Sequence, residues 1–266
     1  MSELAAPAKI NLALVVGARR PDGKHKVTTV LQRVGLADRI VLEAAPRLSV
    51  EGFPDDTLVR RALELLAEAA GVAPGWAARI EKEIPVAAGL GGGSTDAAAA
   101  LLLANERLRA PLSPDALRTL AATLGADVPF FLTTGPQLGE GDGSELTPLD
   151  LTQAYTALLL LPREATKVST AGVYEAFDAR GGEDGYDERR ARLLEALGAG
   201  DLSRLPPNDL VSSPFTDELR ALGAFRADIS GAGPVVYGLF EDARAAGQAE
   251  ASLQGRGRVW IVPPAW

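Results

Sequence analysis

The sequence predicts an α+β fold in two parts, and three observations carry that prediction. Strand candidates crowd the start of the chain, up to residue 44, before the first helical pattern begins. Farther on, strands and helices alternate, and a glycine-rich turn delivers one strand directly into an alanine-rich helix. At 266 residues the chain is long enough for two modest domains or one large one. An acidic, glycine-rich stretch at 139–149 reads as the surface connection between them, giving domains 1–148 and 149–266.

The elements follow in order. Strands are expected at 10–16, 26–34 and 39–44, the first two separated by the polar turn 19–23. Asp55 or Asp56 can cap a helix running to about residue 70, with Leu58, Leu63, Leu65 and Leu66 on its apolar face. A strand over 77–84 leads into the glycine turn, and a buried helix follows from about Thr95. Ser113 and Pro114 form an N-cap and N1 pair opening a helix that stops at Gly125. Asp127 then sits in an apolar stretch just before Pro129. The second part reads as a strand at 157–161, helices near 170–177, 186–197 and 215–222, and a strand at 235–240. A helix near 242–253 and a strand near 259–262 close the chain.

Composition excludes several chemistries. With no cysteine, disulfides, thiol catalysis and Cys-ligated zinc are ruled out. His25 is the single histidine, so a multi-histidine metal site is impossible. No G-x-S-x-G elbow supports a serine nucleophile. The net charge of −8 argues against nucleic acid as a partner, and the arginines at 189–192 read as the wet side of a helix. No signal peptide is visible, and no apolar run approaches a membrane span. A cytoplasmic protein is expected.

The strongest functional signal is residues 85–95: Pro85, Val86, Ala87, Ala88, Gly89, Leu90, Gly91, Gly92, Gly93, Ser94 and Thr95. Four glycines strip side chains from one turn, so the backbone can lie close to a ligand. The following helix aims its unpaired N–H groups and positive dipole end at that ligand. A polyphosphate fits both features. No lysine follows the glycines, so this is not a P-loop. The balancing cation must then come from a distant lysine, from Mg²⁺ or from both. Asp127 alone reads as a turn carboxylate, but near this loop it has the chemistry to receive a hydroxyl proton.

Three segments stand in a recognisable order: Pro7 to Leu12, Gly89 to Ser94, and Ser230-Gly231-Ala232-Gly233. With the 19–25 turn, the 125–131 segment and Asn208-Asp209-Leu210, this resembles the GHMP kinases over residues 5–240. The likeness is greatest to the branch acting on a diphosphocytidyl methylerythritol alcohol. Resemblance implies a two-domain fold, with an N-terminal ribosomal-protein-S5-like domain, a C-terminal ferredoxin-like domain and a site in the cleft between them. It implies ATP as co-substrate and Mg²⁺, with no metal ligands assigned. Lys9 and Asp127 match the catalytic pair, residues 85–95 the ATP loop, and Asn11, His25 and Tyr174 substrate positions, Tyr174 stacking on cytosine. The chain departs from the pattern at Lys24, where the family usually has a tyrosine forming the other face of the base sandwich. Lys24 is expected to compensate through its stem, or by reaching the substrate diphosphate.

Overall fold

The structure, a computed structural model, describes residues 1–53, 57–165 and 169–265. In chain order the elements are β1 (Ser2–Arg19), β2 (His25–Ala44), β3 (Ser49–Glu51), α1 (Thr57–Ala70), β4 (Trp76–Glu81), α2 (Gly92–Asn105) and α3 (Pro114–Leu124). A 3₁₀ turn at Pro129–Leu132 precedes β5 (Gln137–Glu140), β6 (Glu145–Pro148) and β7 (Thr156–Pro162). Next come α4 (Thr170–Ala179), α5 (Tyr186–Gly198), α6 (Pro214–Ala221), β8 (Arg226–Ile229) and β9 (Val236–Phe240). The chain closes with α7 (Ala243–Ser252), β10 (Gly257–Val262) and β11 (Pro264–Ala265). The expected capping role of Asp55 or Asp56 lies outside the described residues.

Two compact units form, interleaved along the chain because β1 and β2 each contribute to both. One comprises Met1–Ala8, Leu36–Val86 and Gly91–Thr134; the other comprises Lys9–Gly35, Ala87–Leu90 and Gly135–Trp266.

In the first unit, β4 pairs antiparallel with the end of β2, from Arg39 opposite Glu81 to Ala44 opposite Trp76. β3 lies parallel on the far side of β4. Helix α1 is amphipathic: Leu63 and Leu66 are fully buried, while Leu58 and Leu65 are half-buried. Helix α2 is apolar nearly all round, with Ala97–Ala100, Leu101, Leu103 and Ala104 buried. Such a helix must be packed on all sides, and it contacts α1, α3, β4 and the 3₁₀ turn. Ser113 caps α3 by accepting from the Ala116 N–H, and Pro114 occupies its first turn, as the sequence indicates.

The second unit holds a four-stranded antiparallel sheet in the order β10-β7-β9-β8. With α6 and α7 this is a βαββαβ sequence, the ferredoxin-like pattern, its first crossover lengthened to include α4 and α5. Leu158, Leu160, Val236 and Phe240 meet Leu219 of α6 and Ala246 and Ala249 of α7 in one buried cluster. The β5–β6 hairpin pairs with β2, Thr29 opposite Gly139, and β11 pairs with β2 at Val34.

Two expectations need correction. Residues 26–34 and 39–44 are not separate strands, because β2 runs unbroken through them. Gly35, which reads as a break, instead permits close approach: a Cβ there would lie 3.0 Å from the Pro263 ring, and its N–H bonds to Pro263 O. Nor is 139–149 a plain connection. It lies largely in the β5–β6 hairpin, whose turn uses Gly141 and Gly143 at positive φ.

Candidate active site

The glycine loop takes its shape from left-handed backbone. Gly89 has φ 84° and Gly91 φ 72°, and among the described residues Ala87 is the non-glycine one at positive φ. Gly89 could not be anything larger, since a Cβ would stand 2.0 Å from the Ser230 carbonyl oxygen. Helix α2 begins at Gly92, earlier than Thr95, with Gly91 at the cap position and no side-chain cap. The first-turn N–H groups therefore have no carbonyl partner within the helix.

In the second unit, the three motifs separated in sequence meet. The Lys9 N–H bonds to Leu90 O, the Ser230 hydroxyl donates to Gly89 O at 2.8 Å, and the Val235 N–H bonds to Ala88 O. β1 supplies Lys9 and Asn11 on inward positions, 4% and 5% exposed. The Lys9 ammonium donates to Asn11 Oδ1 at 2.6 Å, and Asn11 Nδ2 donates to Thr29 Oγ1 at 2.8 Å. A Cβ on Gly231 would lie 3.6 Å from that ammonium. Asn208 holds the turn from behind, donating to Ile229 O and Gly231 O, while Asp209 accepts from the Val16 N–H and Arg189. The Asn208-Asp209-Leu210 motif is thus a brace for the turn and for β1.

His25 and Tyr174 also come together, their rings stacked with centroids 4.7 Å apart. They line a cavity of about 350 Å³ with Arg19, Lys24, Asp142 and Glu175. Neither Lys9 nor Asn11 lines it. His25 Nε2 lies 2.6 Å from Asp178 Oδ1, and Arg19 binds the other carboxylate oxygen. The bond from His25 holds the Asp178 carboxyl below its ordinary range, with Arg19 adding to the effect. The Lys24 ammonium sits on Asp142 at 2.5 Å, so its charge is directed to this carboxylate.

In the first unit, Asp127 is half-buried in the turn between Gly125 and the 3₁₀ segment. The same unit contains charges that sequence reading missed. Lys82 donates to Asp38 at 2.5 Å and to Asp96 at 2.7 Å, and both carboxylates are fully buried. Asp38 also accepts the Glu83 and Ile84 N–H groups. A Cβ on Gly92 would lie 3.2 Å from the Lys82 ammonium, so a cation stands at the start of α2. The available signal was Asp96 itself, a carboxylate inside a helix otherwise read as buried.

The family model for the GHMP kinases N terminal domain matches residues 57–135, and that for GHMP kinases C terminal matches 212–259. The chain is 38% identical to the 4-diphosphocytidyl-2-C-methyl-D-erythritol kinase of Geobacter sulfurreducens, covering 97% of this chain and 96% of that protein. It is 39% identical to the kinase of the same name from Pelotomaculum thermopropionicum, covering 92% and 91%. A crystal structure of 4-(cytidine 5'-diphospho)-2C-methyl-D-erythritol kinase superposes with TM-score 0.83 at 35% identity, over the full length of both chains. A homoserine kinase from Cytophaga hutchinsonii, at 17% identity and TM-score 0.73 over 98% of this chain and 94% of that one, shares the fold. The chain belongs to the GHMP kinases and, within them, to the 4-diphosphocytidyl-2-C-methyl-D-erythritol kinase family.

Proposed function

We propose that this kinase transfers the γ-phosphoryl group of ATP to the 2-hydroxyl of 4-diphosphocytidyl-2-C-methyl-D-erythritol, in the non-mevalonate route to isoprenoid precursors. The observation that carries the reading is the convergence of Lys9, Ser230 and Gly231 on residues 87–90, around a loop bared of side chains. Residues 85–95 take the triphosphate on backbone N–H groups and the α2 dipole. Lys9, aimed by Asn11, stabilises charge developing on the transferred group. Asp127 orients the attacking hydroxyl and accepts its proton as the new bond forms.

Asn11, His25 and Tyr174 hold the substrate, with the cytosine in the cavity that His25 and Tyr174 line. Among the described residues no group of three or more His, Asp or Glu could cage a metal. Mg²⁺ arriving with nucleotide needs few protein ligands, because phosphates and water supply the rest. The Ser94 hydroxyl, on the first turn of α2, would be a protein donor to such an ion, which would supply charge neutralisation when bound. Residues 1–148 and 149–266 form the N- and C-terminal domains in this reading, and the enzyme works in the cytoplasm. No helix among the described residues is long and apolar enough to cross a membrane.

Product analysis with ATP and a panel of alcohols tests the proposal. Phosphorylation of the cytidine diphosphate alcohol should exceed that of homoserine or mevalonate by orders of magnitude. A preference for either of the latter would overturn it.

A further inference from the structure

The Asp178 carboxylate is engaged on both oxygens. Its Oδ1 faces His25 Nε2 at 2.6 Å, and its Oδ2 takes Arg19 Nε at 2.9 Å and Nη2 at 2.8 Å. An ionised carboxylate can only accept, so Nε2 must carry the hydrogen of this bond. In the neutral imidazole the other nitrogen, Nδ1, is then a lone-pair acceptor. The ring is clamped as well as polarised, with Tyr174 stacked on one face and Phe177 edge-on at 5.9 Å. His25 itself is buried, and it borders the cavity of about 350 Å³.

We infer that Asp178 is a positioning residue that sets base specificity, by making His25 Nδ1 an acceptor for an exocyclic amino group. Cytosine offers an N–H donor at its 4-position; uracil offers a carbonyl oxygen there, which would face the Nδ1 lone pair. A mismatched acceptor facing that lone pair should give a preference of roughly 5–150-fold for cytidine over uridine ligands. The inference rests on the proposed placement of the base beside His25 and deepens it, assigning the discrimination to a residue that does not touch the base.

His25 is the single histidine of the chain, so ¹⁵N-histidine labelling reports one imidazole without assignment work. Spectra of the wild-type protein with the imidazole neutral should show hydrogen on Nε2 and a bare Nδ1. Cytidine 5'-diphosphate should shift the Nδ1 signal and bind at least about tenfold more tightly than uridine 5'-diphosphate. In Asp178→Asn, the two Arg19 donors should keep the amide oxygen and turn the amide NH₂ toward Nε2. The hydrogen should then move to Nδ1, and the cytidine preference should collapse toward unity with the change confined to KM. A wild-type ring carrying hydrogen on Nδ1 overturns the inference. So does Asp178→Asn with hydrogen still on Nε2, or with hydrogen moved and the base preference intact. If neither nucleotide moves the imidazole signals, the base is not beside His25. That outcome removes the inference through its premise, while the alcohol panel tests phosphoryl transfer independently.

Discussion

Asp38 and Asp96, both fully buried, are held by one ammonium group, that of Lys82. Two carboxylates on one cation leave the cluster one negative charge in excess when all three are ionised. The cluster also ties together the two flanks of the glycine loop. Asp38 pins the N–H groups of Glu83 and Ile84 on the way in, and Asp96 sits in α2 on the way out.

Lys82→Met should therefore be among the most damaging single changes in the first unit. It keeps the aliphatic stem but strands the buried Asp38 carboxylate and, above about pH 7, an ionised Asp96 as well. Breaking a buried pair by removing one partner costs about 3–5 kcal/mol, so the loss is to be read at about pH 8. Urea unfolding measures the loss directly. A change below about 1 kcal/mol would mean that the carboxylates are already neutral or reach water.

Asp96 gives a pH prediction with a definite sign. Burial pushes its carboxyl up, and the Asp38 charge adds to the shift against the pull of Lys82, taking it from 3.8 to about 7. Between those values the folded state binds the proton more tightly than the unfolded state. This contribution to stability is fully present below about pH 4 and lost as pH rises to about 7, with a slope of at most about 1.4 kcal/mol per pH unit. Asp96→Asn lacks the titration. The wild-type stability minus that of Asp96→Asn should fall steadily across the window. A flat difference would refute the shift.

The sequence made the loop, its helix and the order of motifs legible, because glycine runs and capping residues act locally. Gly89 and Gly91 adopt the left-handed backbone that their lack of Cβ permits, and Ser113-Pro114 opens α3 as read. What escaped depended on distant partners. Gly35 looked like a strand end because nothing nearby in sequence reveals Pro263 passing over it. Nothing beside Lys82 or Asp38 in the sequence points to Asp96, since their meeting is a product of the sheet register and of α2 packing. The Asp178 contact with His25 spans 153 residues, and local pattern carries no trace of it.

The glycines separate binding from folding. Gly92 is a poor probe, because its Cβ would come within 3.2 Å of Ile84 and Lys82. Gly93 has room: outside its own helix backbone, a Cβ there would first meet the Leu58 side chain, at 4.0 Å. Gly93→Val should keep the melting temperature within a few degrees yet lose ATP affinity by at least about tenfold, as Cβ-branching blocks backbone approach. Gly89→Ala should instead damage the fold, since its Cβ would run into the Ser230 carbonyl. Calorimetric titration with ATP alongside thermal melts decides both; unimpaired ATP binding by Gly93→Val would remove the loop assignment.

Asp127→Asn should lower kcat by roughly 10²–10⁴-fold with ATP affinity little changed, the usual contribution of a general base. Lys9→Ala should be comparably severe through lost charge stabilisation. Near-full turnover by folded Asp127→Asn would make Asp127 a structural turn residue alone.

The last prediction concerns Tyr174 and Lys24, which both line the His25 cavity. Tyr174 already stacks on the His25 ring, so its removal loosens the imidazole as well as any base placed beside it. Base stacking is worth roughly 1–3 kcal/mol, and Tyr174→Ala should raise KM for the cytidine substrate by about tenfold or more. Lys24 is a different case. Its ammonium is on Asp142, whose carboxyl burial pushes up but whose bonds from Lys24 and Ser144 bring down to about 2. The Lys24 side chain is 56% exposed, and such pairs are worth at most about 1 kcal/mol, so breaking this one costs the fold little. Lys24→Tyr should release Asp142, supply the second aromatic face, and lower KM while leaving kcat nearly unchanged, the mark of added uniform binding. Steady-state kinetics on both variants tests the pair. An unchanged KM in Tyr174→Ala would remove Tyr174 from the base site. A raised KM in Lys24→Tyr would show that the Lys24–Asp142 pair, rather than a missing ring, is what shapes this wall of the cavity.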